Sequence, residues 1–203
     1  MRREVAVLLL AALVCVGAGA ASAQATGMST FNAPYRAFQR SEIGLLLSFP
    51  DGGGTAVEGA YRMASARLDL GFRVGFFDPE GPGDAFALAG VEARQRVITH
   101  TIDFPLDGAV ILGIGGSFRS GASAMIIPAG LSLGRRIDPQ GSTVSIVPYV
   151  QPTLFVLAGD VADNVLFSLG LGADFRLSRR LDARVSAGIG DAEGVSVGAV
   201  WVH

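Results

Sequence analysis

Residues 67–76 read RLDLGFRVGF, and this stretch decides the fold. Its charged and glycine positions alternate with large apolar side chains, which stand at Leu68, Leu70, Phe72, Val74 and Phe76. Successive side chains of a β-strand point to opposite faces of the sheet. A period of two therefore predicts a strand with one apolar face and one polar face.

The same alternation continues to the end of the chain and predicts an all-β protein of about ten strands. Glycine, proline and aspartate separate the strands, as in the stretches 50–54 and 78–83. The predicted strands span 42–49, 56–63, 67–77, 84–97, 107–118, 122–134, 143–157, 164–177, 181–190 and 194–203. Eight strands is the alternative, because the short second strand can be merged or lost.

The composition excludes several classes of protein. Half of the 203 residues are hydrophobic and 28 are glycine, without the repeats of collagen or a coiled coil and without the low hydrophobicity of a disordered chain. The formal net charge is -2 and no lysine is present. We therefore expect no nucleic-acid partner, since nucleic acid demands a basic surface.

The first 23 residues are typical of an export signal. Arg2 and Arg3 precede an apolar stretch over 5–20, and Ala21-Ser22-Ala23 has the small residues of a signal-peptide cleavage site. An uncleaved membrane anchor is the alternative, but the apolar stretch is short for a spanning helix. Removal of these residues takes away the single cysteine, so no disulfide or cysteine metal site is expected.

Three features indicate which face of the strands contacts water and which contacts lipid. Several strands reach the roughly 9–11 residues that a tilted strand needs to cross a bilayer. The polar face is rich in glycine and serine, where a soluble protein carries lysine and glutamate. Aromatic residues fall near the strand ends of the apolar face, at Phe49, Phe76 and Phe167 on one level and at Tyr61, Phe175 and Trp201 on the other. Together these features favour a membrane barrel with its apolar face outward.

The last eight residues, SVGAVWVH, carry the most specific motif. Ser196, Gly198, Trp201 and the aromatic end at His203 resemble the terminal assembly signal of small bacterial outer-membrane β-barrel proteins, the class of OmpA-like, OmpX-like and OmpW-like barrels. His203 stands where that class usually has phenylalanine.

This resemblance implies a closed antiparallel up-and-down transmembrane β-barrel, inserted into outer-membrane lipid by the barrel-assembly machinery from the periplasmic side. Both ends of the barrel are then periplasmic, which requires an even number of strands. The chain divides into a cleaved signal peptide (1–23), a periplasmic N-terminal lead (24–41) and the outer-membrane barrel domain (42–203).

A set of charges falls on the face predicted to line the lumen. A buried charge without a partner costs several kcal/mol, so these groups are expected to pair. They form either a closed polar core or a charge-lined, narrow pore for small solutes. Glycines on the same face leave volume for an open vestibule. The predicted lumen charges are Arg62, Arg67, Asp69, Glu92, Arg94, Arg96, Asp174, Arg176, Asp182 and Arg184.

The loops differ in charge between the two ends of the predicted barrel. Inner turns carry Arg135, Arg136, Arg179 and Arg180, and Arg119 is the main cation of the outer loops. An acidic outer rim suits divalent cations that bridge lipopolysaccharide phosphates, although solvated loops explain it as well. The outer acids are Asp51, Asp78, Glu80, Asp84, Asp160, Asp163, Asp191 and Glu193.

Two other functions stay open. A soluble exported barrel that binds an apolar ligand would place Leu68, Phe72 and Phe76 inside. An outer-membrane enzyme that modifies lipid would need a histidine near the outer rim, whereas His100 falls in an inner turn and His203 ends the last strand. We therefore expect no enzymatic activity, no catalytic, cofactor or metal site, and a structural barrel as the function.

Prolines conflict with the closed barrel at three positions. Pro128 lies in predicted strand six, and Pro148 and Pro152 lie in strand seven. Proline cannot donate to the hydrogen-bond ladder and a closed barrel has no edge to hold it. We expect bulges or an irregular seam between strands six and seven.

Overall fold

The structure is a computed structural model that describes residues 40–65, 68–81, 83–159 and 164–203. The predicted signal peptide, the lead up to residue 39, and Arg67, Asp160 and Asp163 lie outside the described residues. The strands are β1 (Glu42–Pro50), β2 (Thr55–Met63), β3 (Asp69–Asp78), β4 (Phe86–Ile98), β5 (Asp107–Arg119), β6 (Ala122–Gly134), β7 (Ser145–Gly159), β8 (Asn164–Arg176), β9 (Leu181–Gly190) and β10 (Gly194–Val202).

The strands form one closed antiparallel barrel in which each strand pairs with its neighbours along the chain. The first and last strands close it, from Glu42 opposite Val202 to Pro50 opposite Gly194. The predicted fold class and strand number are confirmed, and the strand ends differ from the predicted ones by at most two residues. In the described part of the chain, no helix has the length and apolar character to cross a membrane.

The barrel has two ends, which we call the terminal rim and the far rim. The terminal rim holds Arg40, His203 and the connections after β2, β4, β6 and β8, while the far rim holds the other connections. The far-rim turn between β5 and β6 is only Ser120-Gly121. Gly121 has a φ of 78°, a left-handed value that tight hairpin turns require and glycine adopts without strain.

The apolar face of the strands is the outside of the barrel. Phe72, Val74 and Phe76 are 46%, 64% and 67% exposed, whereas Asp69 and Arg73 on the same strand are buried. An antiparallel sheet closed into a barrel has one inward and one outward face, so the polar residues line the bore. The apolar exterior and strands of 9 to 15 residues make this a transmembrane β-barrel.

Aromatic side chains mark both borders of the apolar exterior. Phe49, Phe76 and Phe167 are exposed toward the far rim, and Tyr61 and Trp201 are exposed toward the terminal rim. Phe175, predicted to lie with Tyr61 and Trp201, is half-buried and so less exposed than either of them. Such girdles place amphipathic or aromatic rings at the level of the lipid headgroups.

The prolines interrupt the pairing of β6 with β7 but cause no bulge there. Of the two expected irregularities, the structure has the irregular seam and not the bulge. Pairing of β6 with β7 keeps its register and stops only opposite Gln151-Pro152. Pairing of β5 with β6 stops opposite Ile127-Pro128, again without a shift. Each interruption coincides with a residue that lacks the N–H the ladder needs. The register shift in the β4–β5 pairing lies elsewhere, between Arg96 and Ile98.

Candidate functional site

The most distinctive part of the barrel is its charged bore. Eleven ionisable side chains from β1–β4, β8 and β9 point inward toward the terminal half, and none has a side chain more than 15% exposed. Alternation along each strand puts them on the inner face. We call this set the charged layer: Glu42, Glu58, Arg62, Asp69, Arg73, Glu92, Arg94, Asp174, Arg176, Asp182 and Arg184.

One side of the layer is a row of ion pairs across β1–β4. Arg94 lies 3.4 Å from Asp69 and 4.0 Å from Glu92. Arg62 contacts the same Glu92 carboxylate at 2.5 Å and Glu42 at 3.2 Å. Each arginine thus bridges two carboxylates, which is how a set of buried charges avoids the cost of an unpaired one.

Glu42 extends this row to the last strands of the barrel. Arg184 on β9 donates from Nη1 and Nη2 to the two carboxylate oxygens of Glu42, at 2.6 and 2.7 Å. Its Nε donates to Asp174 on β8 at 3.0 Å. A bidentate arginine–carboxylate pair is the strongest common form of this contact. The network therefore runs without a break from Asp69 to Asp174 across the pair of strands that closes the barrel.

Two further ion pairs belong to the layer. Arg73 contacts Glu58 at 3.2 Å. Arg176 donates to both oxygens of Asp182, at 2.6 and 2.9 Å. Five arginines thus face six carboxylates across the whole layer, which leaves the bore nearly neutral and gives no excess of positive charge to attract anions.

Eight of the ten charges predicted for the lumen lie in this layer. Arg96 does not, because it follows at the terminal end of β4 beside the register shift and is exposed. Arg67 lies outside the described residues. The prediction missed Glu42, Glu58 and Arg73. Arg73 shares the polar face of the stretch RLDLGFRVGF, and Glu58 lies four residues from Arg62, so strand parity was enough to find both.

The glycines of the bore do not leave an open vestibule at the positions where their surroundings are known. A methyl group added at Gly172 would meet the ring of Tyr149, and one added at Gly71 would lie 3.0 Å from Cγ of Glu92. The space beside these glycines is occupied by larger side chains from neighbouring strands.

Apolar side chains line the far half of the bore. Ile126, Phe155 and Leu157 form one buried cluster on β6 and β7. Ala56 and Leu88 form a second on β2 and β4, against Phe77 and Phe86. The bore is thus lined by apolar clusters toward the far rim and by ion pairs toward the terminal rim.

A small cavity remains inside the charged layer. It has a volume of about 20 Å³, and its lining includes the charged residues Glu42, Arg62, Arg73, Glu92 and Arg184. This volume accommodates one water molecule and no larger solute. Within the described residues, no group of three or more His, Cys, Asp or Glu side chains is placed to hold a metal ion.

The residues of the predicted assembly signal occupy both faces of β10. Ser196 faces the bore and accepts a hydrogen bond from the Ser48 hydroxyl at 3.0 Å. Trp201 faces outward and is half exposed. His203 stacks on Tyr61 with the ring centres 6.1 Å apart. Gly198 packs against Leu46, and a methyl group there would lie 3.1 Å from that side chain.

Both histidines lie at the terminal rim. His100 follows β4, and its Nδ1 lies 3.0 Å from a carboxylate oxygen of Asp107. The far rim, where the alternative function of a lipid-modifying enzyme would need a histidine, has none among the described residues.

No family model matches this chain, and no curated protein matches it. Among solved structures, it is similar to a protein from the de novo design of transmembrane β-barrels, with 14% identity and a TM-score of 0.40 over 85% of this chain and 98% of that one. It is also similar to the β domain of the Bordetella autotransporter BrkA, with 18% identity and a TM-score of 0.47 over 74% of this chain and 75% of that one. At these values neither likeness carries a statement about function.

Proposed function

We propose that this protein is a structural barrel of the bacterial outer membrane whose bore is closed to solutes. One observation carries the proposal: an apolar exterior surrounds a bore that is lined by ion pairs in one half and by buried apolar side chains, among them Phe155, in the other. A barrel of about eight to ten strands has an interior just wide enough for side chains to fill. The proposal assigns it no enzymatic activity and no cofactor.

Location in the outer membrane is supported by two sequence features. Residues 1–23 are typical of an export signal, and the last strand resembles the signal read by the barrel-assembly machinery. With the terminal rim in the periplasm, the far rim faces the outside. The finer resemblance to OmpA-like, OmpX-like or OmpW-like barrels rests on that last strand.

The far rim then offers its carboxylates to the outer leaflet. In its described part it carries six acids and the cation Arg119, whose guanidinium lies 4.6 Å from the centre of the Phe86 ring. This charge favours divalent cations that bridge lipopolysaccharide phosphates as partners of the loops. The acids are Asp51, Asp78, Glu80, Asp84, Asp191 and Glu193.

The outward position of the apolar stripe supports a membrane barrel over a soluble carrier of an apolar ligand. A carrier needs Leu68, Phe72 and Phe76 around a dry cavity, whereas these side chains are 38%, 46% and 67% exposed on the exterior. Water is a poor solvent for so continuous an apolar surface, and hydrocarbon is a good one.

Planar-bilayer recording of the refolded, signal-free chain tests the closed bore. We expect no conductance steps at a protein concentration at which a general porin gives many. A variant with Tyr149→Ala and Phe155→Ala serves as the opened control, because both side chains project into the bore. Reproducible steps from the native chain would contradict the proposal.

Electrophoresis of outer-membrane fractions tests the location. A folded barrel migrates differently before and after boiling, and we expect this shift in the outer-membrane fraction of cells that express the chain with its signal. Recovery of the protein in the freely soluble periplasmic fraction would contradict a membrane barrel.

A further inference from the structure

Three arginines meet at one place on the terminal rim, beside the closing strands. Arg40 precedes β1, and Arg179 and Arg180 form the turn between β8 and β9. All three are exposed, and in the described parts of the chain none of them forms an ion pair. We call them the arginine cluster.

Hydrogen bonds to the backbone hold the cluster together. Arg40 donates from Nη1 to the carbonyl oxygen of Arg179 at 3.1 Å. The N–H of Val202 donates to the carbonyl oxygen of Arg180 at 2.9 Å, and the N–H of Arg180 donates to the Ser178 hydroxyl at 3.2 Å. The turn is therefore fixed to the end of β10, and the Arg40 guanidinium is bonded to it, so the three arginines are neighbours on this rim.

The cluster lies at the border of the apolar exterior. The guanidinium of Arg180 lies 6.0 Å from the centre of the Trp201 ring, which is half exposed on the outer face. Leu177 and Leu181 flank the turn and are also exposed. Aromatic residues at such a border sit at headgroup level, so the arginines reach the same level.

Two other rim arginines, Arg136 and Arg119, are engaged differently. Arg136 donates from Nε to Asp138 at 3.0 Å. The Ser145 hydroxyl, with Arg136, holds the pKa of Asp138 below its ordinary value, so this carboxylate stays charged beside Arg136. Arg119 lies at the far rim among acidic loops. The arginine cluster is thus a group of three cations at the membrane border for which the described residues supply no carboxylate partner.

We propose that the arginine cluster binds the headgroups of anionic phospholipids in the leaflet that the terminal rim meets. The inference rests on the membrane insertion of the proposed function and adds the lipid class and its place. Guanidinium groups match phosphate oxygens with paired hydrogen bonds. Basic side chains near a membrane surface attract anionic lipid, and three that are fixed together reinforce one another.

The single tryptophan of the chain provides a local probe. Trp201 lies under Arg180, so its fluorescence reports the lipid beside the cluster. The barrel is refolded into vesicles of phosphatidylcholine and phosphatidylglycerol at one fixed ratio. In one arm only the phosphatidylglycerol carries a brominated acyl chain, which quenches tryptophan, and in the other arm only an equal mole fraction of phosphatidylcholine carries it.

We expect quenching by brominated phosphatidylglycerol to exceed that by brominated phosphatidylcholine by about twofold or more, and the excess to shrink as salt screens the charges. The triple variant Arg40→Gln, Arg179→Gln, Arg180→Gln should bring the two arms to equality. The corresponding lysine variant keeps the charge and should retain most of the excess. Arg119→Gln at the far rim is the matched control and should leave the native ratio unchanged.

The outcomes separate the two proposals. Equal quenching of the native protein in both arms would overturn the lipid preference while leaving membrane insertion intact. Absence of quenching in both arms would contradict insertion and the lipid site together. A retained excess in the glutamine variant, with the folded state checked by its electrophoretic shift, would show that the cluster is not the source and would also overturn the inference.

Discussion

The two walls of the bore are built on different principles. The inner faces of β1–β4, β8 and β9 supply the charged layer, in which ion pairs link neighbouring strands. The inner faces of β5–β7 carry no charge between Gly108 and Phe118 or anywhere in β6 and β7. They contribute bulky or neutral groups instead, among them Phe155, Tyr149 and Gln151, all buried.

This difference shows where each wall obtains its stability. In the charged wall, the backbone hydrogen-bond ladders from β1 to β4 are unbroken. Ion pairs between side chains link the same strands. The uncharged wall holds both ladder interruptions and all three strand prolines discussed above. It depends on packing of apolar side chains where hydrogen bonds are missing, so the two walls should respond differently to substitution.

The largest effect is expected from the centre of the charged layer. Glu42→Gln removes the carboxylate that receives bonds from both Arg62 and Arg184. Breaking a buried ion pair by neutralising one partner costs about 3–5 kcal/mol, because the other charge stays buried without compensation. Urea unfolding in vesicles, followed by tryptophan fluorescence, measures this loss in the free energy of unfolding.

Glu80→Gln is the matched control for that substitution. Glu80 is an exposed carboxylate at the far rim, and surface changes of this kind stay within about 0.5 kcal/mol. If Glu42→Gln does not refold, Asp69→Asn at the end of the network gives a milder version of the same test, since its contact to Arg94 is 3.4 Å long. A loss below about 1 kcal/mol in both variants would refute the network's role.

The next loss, toward the lower end of the range for Glu42→Gln, is expected from the packed core of the uncharged wall. Phe155→Ala removes the ring of a side chain that is 2% exposed and leaves a cavity beside Ile126 and Leu157. Such truncations cost about 3 kcal/mol or more. Val156→Ala, at the next position but facing lipid, should cost less because lipid chains fill the space. Equal losses in the two variants would mean that the far half of the bore is not packed as described.

The smallest effect on stability is expected at the interrupted ladder. Pro152→Ala restores an N–H opposite Leu131-Ser132, where β6 and β7 do not pair. One added hydrogen bond gains about 1 kcal/mol, and the loss of proline's restriction on the unfolded chain offsets part of it. Amide hydrogen exchange should show a newly protected group at residue 152.

Pro148→Ala is the control for this restored bond. Pro148 lies one residue beyond the last pair of β6 with β7, Gly134 with Tyr149, so its new N–H has no partner on β6. Equal protection at both positions would show that proline is not the cause of the interruption.

The strands could be predicted closely because their signal is local. In RLDLGFRVGF, each large apolar residue faces lipid and each charged residue from Asp69 onward lies on the inner face. Membrane barrels enforce this alternation along the whole strand, since hydrocarbon and bore are both present at every level. The turn residues then limited the errors at strand ends.

The partners inside the bore could not be predicted, because they depend on register and tilt. Glu42 is the first residue of β1 and gains its importance because it lies opposite Arg62 on β2 and within reach of Arg184 on β9. Arg96 has the parity of a lumen residue, but the shift beside it and its position at the strand end leave it exposed. The same limit applies to the prolines, whose effect depends on which neighbour their missing N–H would have faced.

The pair between Glu42 and Arg184 joins residues 142 positions apart in the chain. While the nascent barrel is still an open sheet, Glu42 on the first strand has Arg62 as a partner but lacks Arg184. Arg184 on the ninth strand likewise has Asp174 but lacks Glu42. Only docking of the tenth strand against the first brings them together. Closure is therefore stabilised by this interior ion pair as well as by the backbone hydrogen bonds between β1 and β10. A chain that stops one strand short lacks both.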